Sequence, residues 1–359
     1  MKLLITGGAG FIGSNFIRYL LTEHPEAHAV NLDKLTYAGN LDNLAELSDS
    51  PRYRFVQGDI ADAETLPGVF EEKFDAVVNF AAETHVDRSI EDAAPFLRTN
   101  VLGTQVLLEA ARRHGVERFV QISTDEVYGS AAPAQSFREE APLNPGSPYA
   151  ASKAAADHLV MAYVNTYGLP ALILRGTNNY GPYQFPEKLI PLMIAHALQD
   201  KPLPVYGDGL HERDWLYVED YGRAIWLTLE RGKPGEVYNL ASGAPQPNVK
   251  VVQTILQLLG KPLSLMKYVE DRPGHDRRYA LDSTKSRQAL GWKPRVRFEE
   301  GIQETIEWYQ RNALWLQRAR SGEYRQYYER HYSRRAETLR GFLQRASGDP
   351  YGGLRSAGA

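Results

Sequence analysis

The chain has no cysteine among its 359 residues, which excludes disulfides, thiolate catalysis and cysteine-ligated zinc. Charge of neither sign dominates: 41 Lys and Arg stand against 44 Asp and Glu, a formal net charge of -3. That balance gives no reason to expect nucleic acid or an anionic membrane as a partner. Histidine is scarce. Of nine, His24 and His28 have the i, i+4 spacing of a helical metal pair, but Pro25 breaks any helix between them. No metal site is expected. Long apolar runs are missing as well. Leu3-Leu4-Ile5 ends at Gly7-Gly8, too short for a signal-peptide core, and nothing later approaches the ~18 apolar residues of a membrane span. A cytoplasmic location is the expectation.

What is present suits a globular protein. An apolar fraction of 43% and a charged fraction of 24% are ordinary for a packed domain, and the length allows two domains or one with a second lobe. Short apolar runs predict strands at Leu3-Leu4-Ile5, Ala29 to Leu32, Tyr53 to Val56, Ala76 to Phe80, Phe119 to Ile122 and Ala171 to Leu174. Helical periodicity marks Phe11 to Leu21, Thr99 to His114 and Pro148 to Tyr167 between them. Strands separated by helix-length segments imply parallel βαβ units with right-handed crossovers. The predicted fold class is α/β: a Rossmann-type doubly wound parallel sheet with a smaller, discontinuous C-terminal substrate domain.

After Arg175 the texture changes. Residues 176–213 are rich in Gly, Pro and Asn and read as a loop-dominated lobe. Arg213 to Glu230 reads as a helix, and Glu236 to Leu240 as a strand that rejoins the sheet. The expected division gives 1–177 with 214–242 to the sheet domain, and 178–213 with 243–345 to a lobe over its carboxyl edge, where such sheets bind ligands. From Trp308 to Arg345, Tyr, Trp and Arg recur at roughly helical spacing, which reads as a packed helix with solvated arginines rather than a nucleic-acid patch. Residues 346–359 read as a fraying tail.

Gly7-Gly8-Ala9-Gly10-Phe11-Ile12-Gly13 joins the first strand to the first helix. Glycines at 7, 10 and 13 let the backbone turn tightly, approach a pyrophosphate and pack the helix on the sheet. The helix N-terminus offers unpaired N–H groups to that anion. A glycine turn alone is weak, since any tight turn uses the same residues. Asp33 strengthens it: it ends the second strand 20 residues after Gly13, where an acid grips the adenosine ribose hydroxyls. A 2′-phosphate would meet a like charge, so NAD is the expected cofactor, with Lys34 softening the contrast. Asp59-Ile60, after the next strand, reads as an adenine contact or as a cap of the following helix.

Tyr149 and Lys153 stand four apart on a predicted helix and share one face. An ammonium beside a phenol stabilises the phenolate and lowers its pKa. A phenolate can take the proton of a sugar hydroxyl while hydride leaves for nicotinamide. Tyr-x-x-x-Lys is common and usually structural; behind a dinucleotide turn it points to hydride transfer. Ser123-Thr124-Asp125-Glu126 follows the strand from Phe119. Read alone, its two acids are as readily solvated groups at a strand end, or a helix cap, as a catalytic pair.

These motifs resemble the extended short-chain dehydrogenase/reductase family. Longer stretches narrow the resemblance: Asp33-Lys34-Leu35-Thr36-Tyr37-Ala38-Gly39-Asn40, Asn79 to Ser89, Arg175 to Pro182, Tyr206-Gly207-Asp208-Gly209, Arg213-Asp214-Trp215 and Asp271 to Asp276. Over roughly residues 1–333 they are similar, in order and spacing, to the dTDP-glucose 4,6-dehydratase family. The resemblance implies transient oxidation of a hexose at C4, loss of water across C5–C6 and return of the hydride to C6. NAD is regenerated, and the substrate is a nucleoside diphosphate hexose, dTDP-glucose. It implies Asp125 as the acid, Glu126 as the base, Tyr149 as the oxidation base and Thr124 as a hydrogen-bond partner of the C4 oxygen. Lys153 would tune Tyr149 and hold the nicotinamide ribose.

Around NAD the resemblance places Gly7, Gly10, Phe11, Ile12, Gly13, Asp33, Lys34, Leu35, Thr36, Asp59, Ile60, Phe80, Ala81, Ala82, Glu83, Thr84, Thr99 and Asn179. Around the nucleotide and its sugar it places Thr84, Asn178, Lys188, Leu189, Pro204, Val205, Tyr206, Asn248, Asp271, Arg272 and His275, with Arg213 gripping the pyrophosphate. Gln246-Pro247-Asn248-Val249 departs from the family's pattern. The family commonly dimerises through the helices at 99–114 and 148–167, so a homodimer is expected. Val101, Leu102, Leu107, Leu108, Leu159, Val160 and Val164 suit that interface and packing on the sheet equally. A UDP-glucose 4,6-dehydratase would keep the acid pair, whereas a nucleotide-sugar 4-epimerase has no need of it. A catalytically dead NAD-binding regulatory protein would have no use for Thr124, Asp125, Glu126, Tyr149 and Lys153 together.

Overall fold

The computed structural model describes residues 1–320; the expectations for residues 321–345 and for the tail lie outside the described residues. Six strands alternate with helices through the first half: β1 Lys2–Thr6, β2 His28–Asp33, β3 Tyr53–Gln57, β4 Ala76–Asn79, β5 Arg118–Thr124 and β6 Ala171–Gly176. Val237–Leu240 returns to pair with β6, so the seven-stranded sheet has the order Val237–Leu240, β6, β5, β4, β1, β2, β3. Every pairing in it is parallel. The fold is the doubly wound α/β class.

Alternation along each strand decides which layer a residue joins. In β1, Leu3 and Ile5 face helix α1 (Phe11–Glu23) and the helix Val218–Arg231, packing with Phe16, Ile17, Tyr221, Ile225 and Trp292. Leu4 faces the other way and joins Leu107, Leu108, Phe119 and Val160 under the helices Thr104–Arg113 and Pro148–Tyr167. Each fully buried leucine or isoleucine here contributes roughly 1.5–3 kcal/mol, which holds both helix layers to the sheet. Leu107, Leu108 and Val160 therefore serve the sheet, and it is Leu97, Leu102 and Tyr167 that stay exposed. The helix expected from Thr99 is continuous, but its stretch Leu97–Gly103 is wound as a π-helix. Among the described residues no helix is long and apolar enough to cross a membrane.

A second hydrophobic cluster gathers Ile190, Met193, Val205, Trp215, Tyr217, Val251, Ile255, Ile302, Ile306 and Tyr309. Two expectations need correction there. Residues 176–213 hold more regular structure than expected: they contain a strand at Asn178–Tyr180, a helix at Leu189–Ala197 and a strand at Leu203–Tyr206 that pairs with Met266–Val269. That helix is buried almost all round, so its apolar residues carry no period to read. Nor is Arg213 to Glu230 one helix. Glu212–Arg213 and Trp215–Tyr217 are short strands, and the helix starts at Val218. Trp215–Tyr217 pairs with Asn178–Tyr180, and Arg213 with Gln246; partners distant in sequence outweigh the local pattern.

Candidate active site

The carboxyl ends of β1, β2, β4, β5 and β6 meet where the strand order reverses, the position at which such sheets hold ligands. Gly7 has φ +70°, and a Cβ on it would lie 2.6 Å from the Ala81 nitrogen. A Cβ on Gly13 would lie 2.5 Å from the Gly7 carbonyl oxygen. Only glycine permits such approaches. They bring the start of α1, which no side chain caps, toward the crevice with N–H groups available to an anion.

Asp33 closes β2, its Oδ2 accepting from the Ala9 N–H (2.9 Å) and its Oδ1 from the Leu35 N–H (2.8 Å). Burial raises its pKa, and those two hydrogen bonds oppose the rise. Each oxygen keeps a second lone pair for a ribose hydroxyl. Asp59 pairs with Lys34 (2.8 Å) and accepts from the Ala61 N–H (2.9 Å), so it holds the turn after it while lining the crevice.

A cavity of about 300 Å³ runs from this turn to the edge of β5. One end is walled by Gly7, Gly10, Phe11, Ile12, Gly13, Asp33, Lys34, Thr36, Asp59, Ile60, residues 80–84 and Thr99. The other end is walled by Thr124, Asp125, Glu126, Tyr149, Lys153, Asn178, Asn179 and Lys188. The two acids thus share a chamber with the tyrosine and lysine. Leu35, Leu189, Pro204, Val205, Tyr206, Arg213, Asn248, Asp271, Arg272 and His275 lie outside that wall.

Thr124 ends β5 and caps the turn Asp125–Tyr128, accepting from the Glu126 N–H (3.2 Å) and donating to Asp125 Oδ1 (3.0 Å). Burial, then the charge of Glu126, push Asp125 up to about 8, so it is protonated at neutral pH. Burial also raises Glu126, but Arg272, Arg213 and Lys188 oppose it. Three cations favour the charge on Glu126 and one of them, Arg213, that on Asp125, so Glu126 is the readier of the two to ionise.

Tyr149 and Lys153 come from the helix Pro148–Tyr167, which Ser147 caps by accepting from the Ala150 N–H (3.1 Å), with Pro148 in the first turn. The expected softening of the phenol is not found. Burial, then the neighbouring acids Glu126 and Asp125, raise Tyr149 well above 10, with the Thr124 hydroxyl opposing. Lys153 donates to the Ile122 carbonyl (2.6 Å), and burial lowers its own pKa to about 8 against the pull of Asp157. The i, i+4 spacing shows that two side chains share a face; it does not show how dry that face is.

Residues beyond the sheet supply cations. Lys188 donates to the Thr84 carbonyl (2.8 Å). Arg213 is buried, donates to the Glu212 and Asp276 carbonyls (2.7 and 2.9 Å), and lies over the Tyr279 ring at 4.1 Å. Arg272 pairs with Asp87 (3.4 Å), whose other oxygen accepts from the Tyr206 hydroxyl (3.0 Å). Three cations near Glu126 suit a diphosphate, which guanidinium groups can grip bidentately. Asn248 opens the helix Asn248–Leu258 with its Oδ1 buried and unpaired among the described residues. Val205 is buried in the second cluster and Leu189 packs against it.

His211 and His275 stack at 3.7 Å, their Nε2 and Nδ1 reaching the two oxygens of Asp271 (3.2 and 2.6 Å). The donor atoms of this trio lie within 4.8 Å of one another, a spacing that donor identity alone would allow for a metal. The near-parallel rings suit two imidazoles sharing one carboxylate, because ligands on a single ion splay apart.

Two side chains that no spacing in the sequence marks also hold the site. Asn100 accepts from the Glu83 N–H (2.9 Å) and donates to the Glu83 carbonyl (3.0 Å) and to Ser152 Oγ (2.8 Å). It thereby ties residues 80–84 to the Tyr149 helix. Tyr279 reaches Glu126, at 3.4 Å. Asn100 follows the polar Arg98 and Thr99, so nothing in the sequence singles it out.

Ser123 Oγ, Asp125 Oδ2, Thr177 Oγ1, Asn178 Oδ1 and Asn179 Oδ1 belong to residues on the cavity wall, and all are buried without a partner among the described residues. Each such atom costs about 1–3 kcal/mol unless a ligand meets it. With the glycine cradle and Asp33 at the other end, the residues present fit a dinucleotide and a sugar.

The sheet, the glycine turn and the Tyr149–Lys153 chamber define a dinucleotide-binding enzyme of the extended short-chain dehydrogenase/reductase class. The sequence model of the family described as GDP-mannose 4,6 dehydratase matches residues 4–305. A dTDP-glucose 4,6-dehydratase of Escherichia coli is 50% identical over 361 residues, covering 93% of this chain and 100% of that one. The solved dTDP-glucose 4,6-dehydratase of Streptomyces venezuelae, with NAD bound, is 49% identical with a TM-score of 0.87, covering 89% of this chain and 100% of that one. That of Bacillus anthracis, in complex with NAD, is 48% identical with a TM-score of 0.84, covering 89% and 99%. The chain belongs to the dTDP-glucose 4,6-dehydratase family.

Proposed function

We propose that the protein converts dTDP-glucose to dTDP-4-keto-6-deoxyglucose with NAD as a cofactor regenerated in each cycle. The observation that carries this reading is the buried carboxyl of Asp125, its pKa raised by burial, beside Glu126 in the chamber of Tyr149 and Lys153. An epimerase that only oxidises and reduces C4 has no use for a neutral carboxylic acid. Expelling water does.

The glycine turn, Asp33 and Lys153 would hold NAD, which when bound takes a hydride from C4 and gives it back at C6. The positive charge of bound NAD would favour the Tyr149 phenolate, which takes the C4 hydroxyl proton, and Thr124 hydrogen-bonds the C4 oxygen. With C4 a ketone, the C5 proton becomes removable, because the carbonyl stabilises the resulting enolate. Glu126 takes that proton while Asp125 protonates the C6 hydroxyl, which leaves as water. Glu126 then returns its proton to C5 as C6 is reduced, and the proton held by Tyr149 restores Asp125 through solvent. Arg213, Arg272 and Lys188 would grip the pyrophosphate, with Tyr206, Pro204, Asn248, Asp271 and His275 around the rest of the nucleotide. At Leu189 and Val205, where packing occupies the side chains, contact falls to the main chain.

A homodimer and a cytoplasmic location belong to the same proposal. Exposed Leu97, Leu102 and Tyr167 on the paired helices support the first. Incubation with NAD and dTDP-glucose should yield the alkaline absorbance of a 4-keto-6-deoxy sugar. No such product, with turnover of UDP-galactose instead, would replace the proposal with an epimerase. Preference for UDP-glucose would overturn the choice of nucleobase.

A further inference from the structure

We infer that Tyr279 is a positioning residue for Glu126, and that it joins this base to the arginine facing the pyrophosphate. The inference rests on the proposed role of Glu126 in taking the C5 proton. Tyr279 is 3% exposed, and its main-chain N–H donates to the Glu212 carbonyl (3.2 Å), next to Arg213 in the chain. Its hydroxyl stands 2.8 Å from Asp276 Oδ2 and 3.4 Å from Glu126 Oε2.

A phenol carries one proton and also accepts. Turned toward Glu126, it donates to the carboxylate and fixes the oxygen that does not receive the C5 proton. Turned toward Asp276, it offers Glu126 an acceptor once that acid is protonated. The same side chain therefore serves both protonation states of the base. Burial, then the charge of Glu126, raise the Tyr279 phenol well above 10. The ring has a separate task. Its face carries the Arg213 guanidinium at 4.1 Å, a cation–π contact that sets where the arginine can point. Hydroxyl for the base and ring for the arginine are two handles on one residue, and substitution separates them.

Tyr279→Phe keeps the ring and removes the hydroxyl. Solvent deuterium exchange at C5 and kcat should fall about tenfold, while C4 oxidation, KM for dTDP-glucose and the calorimetric affinity for dTDP stay within about twofold. The limb of the pH profile on which Glu126 must be ionised should move to higher pH, because the carboxylate loses a donor. Tyr279→Leu removes the ring as well and should additionally weaken dTDP binding by about fivefold or more. Asp276→Asn releases the hydroxyl to Glu126 and removes a like charge, so the same limb should move to lower pH. Wild-type exchange and pH profile in both Tyr279→Phe and Asp276→Asn would overturn the inference. So would C4 oxidation and C5 exchange falling by one common factor, which marks general damage. A wild-type protein that makes no 4-keto-6-deoxy sugar is a different failure: it removes the proposed reaction, and this inference with it.

Discussion

Replacing Asp125 by asparagine removes a titrating proton from a side chain that is 3% exposed while leaving its shape nearly unchanged. In the fold Asp125 titrates at about 8, against 3.8 for an ordinary aspartate. Between those two values the folded chain keeps a proton that the unfolded chain has released. A raised folded pKa means that stability is complete below about pH 4 and declines as pH rises toward 8. The gap corresponds to on the order of 5 kcal/mol. Asparagine does not titrate, so the stability of Asp125→Asn relative to wild type should climb steadily over that window. At pH 8 the gain amounts to roughly 6 °C in Tm for a chain of this length. Thermal unfolding of both proteins at one NAD concentration, from pH 4.5 to 8.5, measures it. Activity should move the other way: water loss slows ~10²-fold or more, while C5 exchange, which depends on Glu126, persists. A stability difference that stays flat or shrinks with rising pH would refute the buried neutral acid. Equal loss of exchange and elimination would refute the division of labour.

Glu126→Gln should leave C4 oxidation measurable as NADH absorbance but abolish C5 deuterium exchange; exchange at the wild-type rate would put the base elsewhere. Tyr149→Phe should prevent NADH from appearing at any stage, and a transient NADH signal in that variant would contradict its role. Arg213→Leu should raise KM for dTDP-glucose about tenfold or more, the loss of a charged hydrogen bond to phosphate, and an unchanged KM would remove Arg213 from the phosphate grip.

The sheet was legible in the sequence because its strands bury both faces and its helices one, so apolar runs and amphipathic stretches alternate. Leu189–Ala197 was not, because burial on all sides erases periodicity. Trp215–Tyr217 was not, because its pairing partner lies at Asn178–Tyr180, far outside any window. Within the site, glycines 7 and 13 and Asp33 could be read locally, since a turn, a helix start and a strand end each restrict the residue type. The pair Asp125–Glu126 could not be told from a solvated strand end without family resemblance. The phenol of Tyr149 was least legible: burial and two neighbouring acids raise it, and neither is visible in the spacing of Tyr149 and Lys153. Tyr279 stayed hidden because it meets Glu126 across 153 positions of chain.

The π-wound stretch Leu97–Gly103 carries one residue more than an ordinary helix would need to span it. That surplus sets the azimuth of Asn100. A chain shorter by one residue there would swing the amide by about 100°, off the Glu83 main chain and away from Ser152, and the loop and the helix would lose their shared clasp. Tolerance to length change is therefore uneven in this protein: an outer loop can absorb an insertion, whereas this inner coil has to keep count.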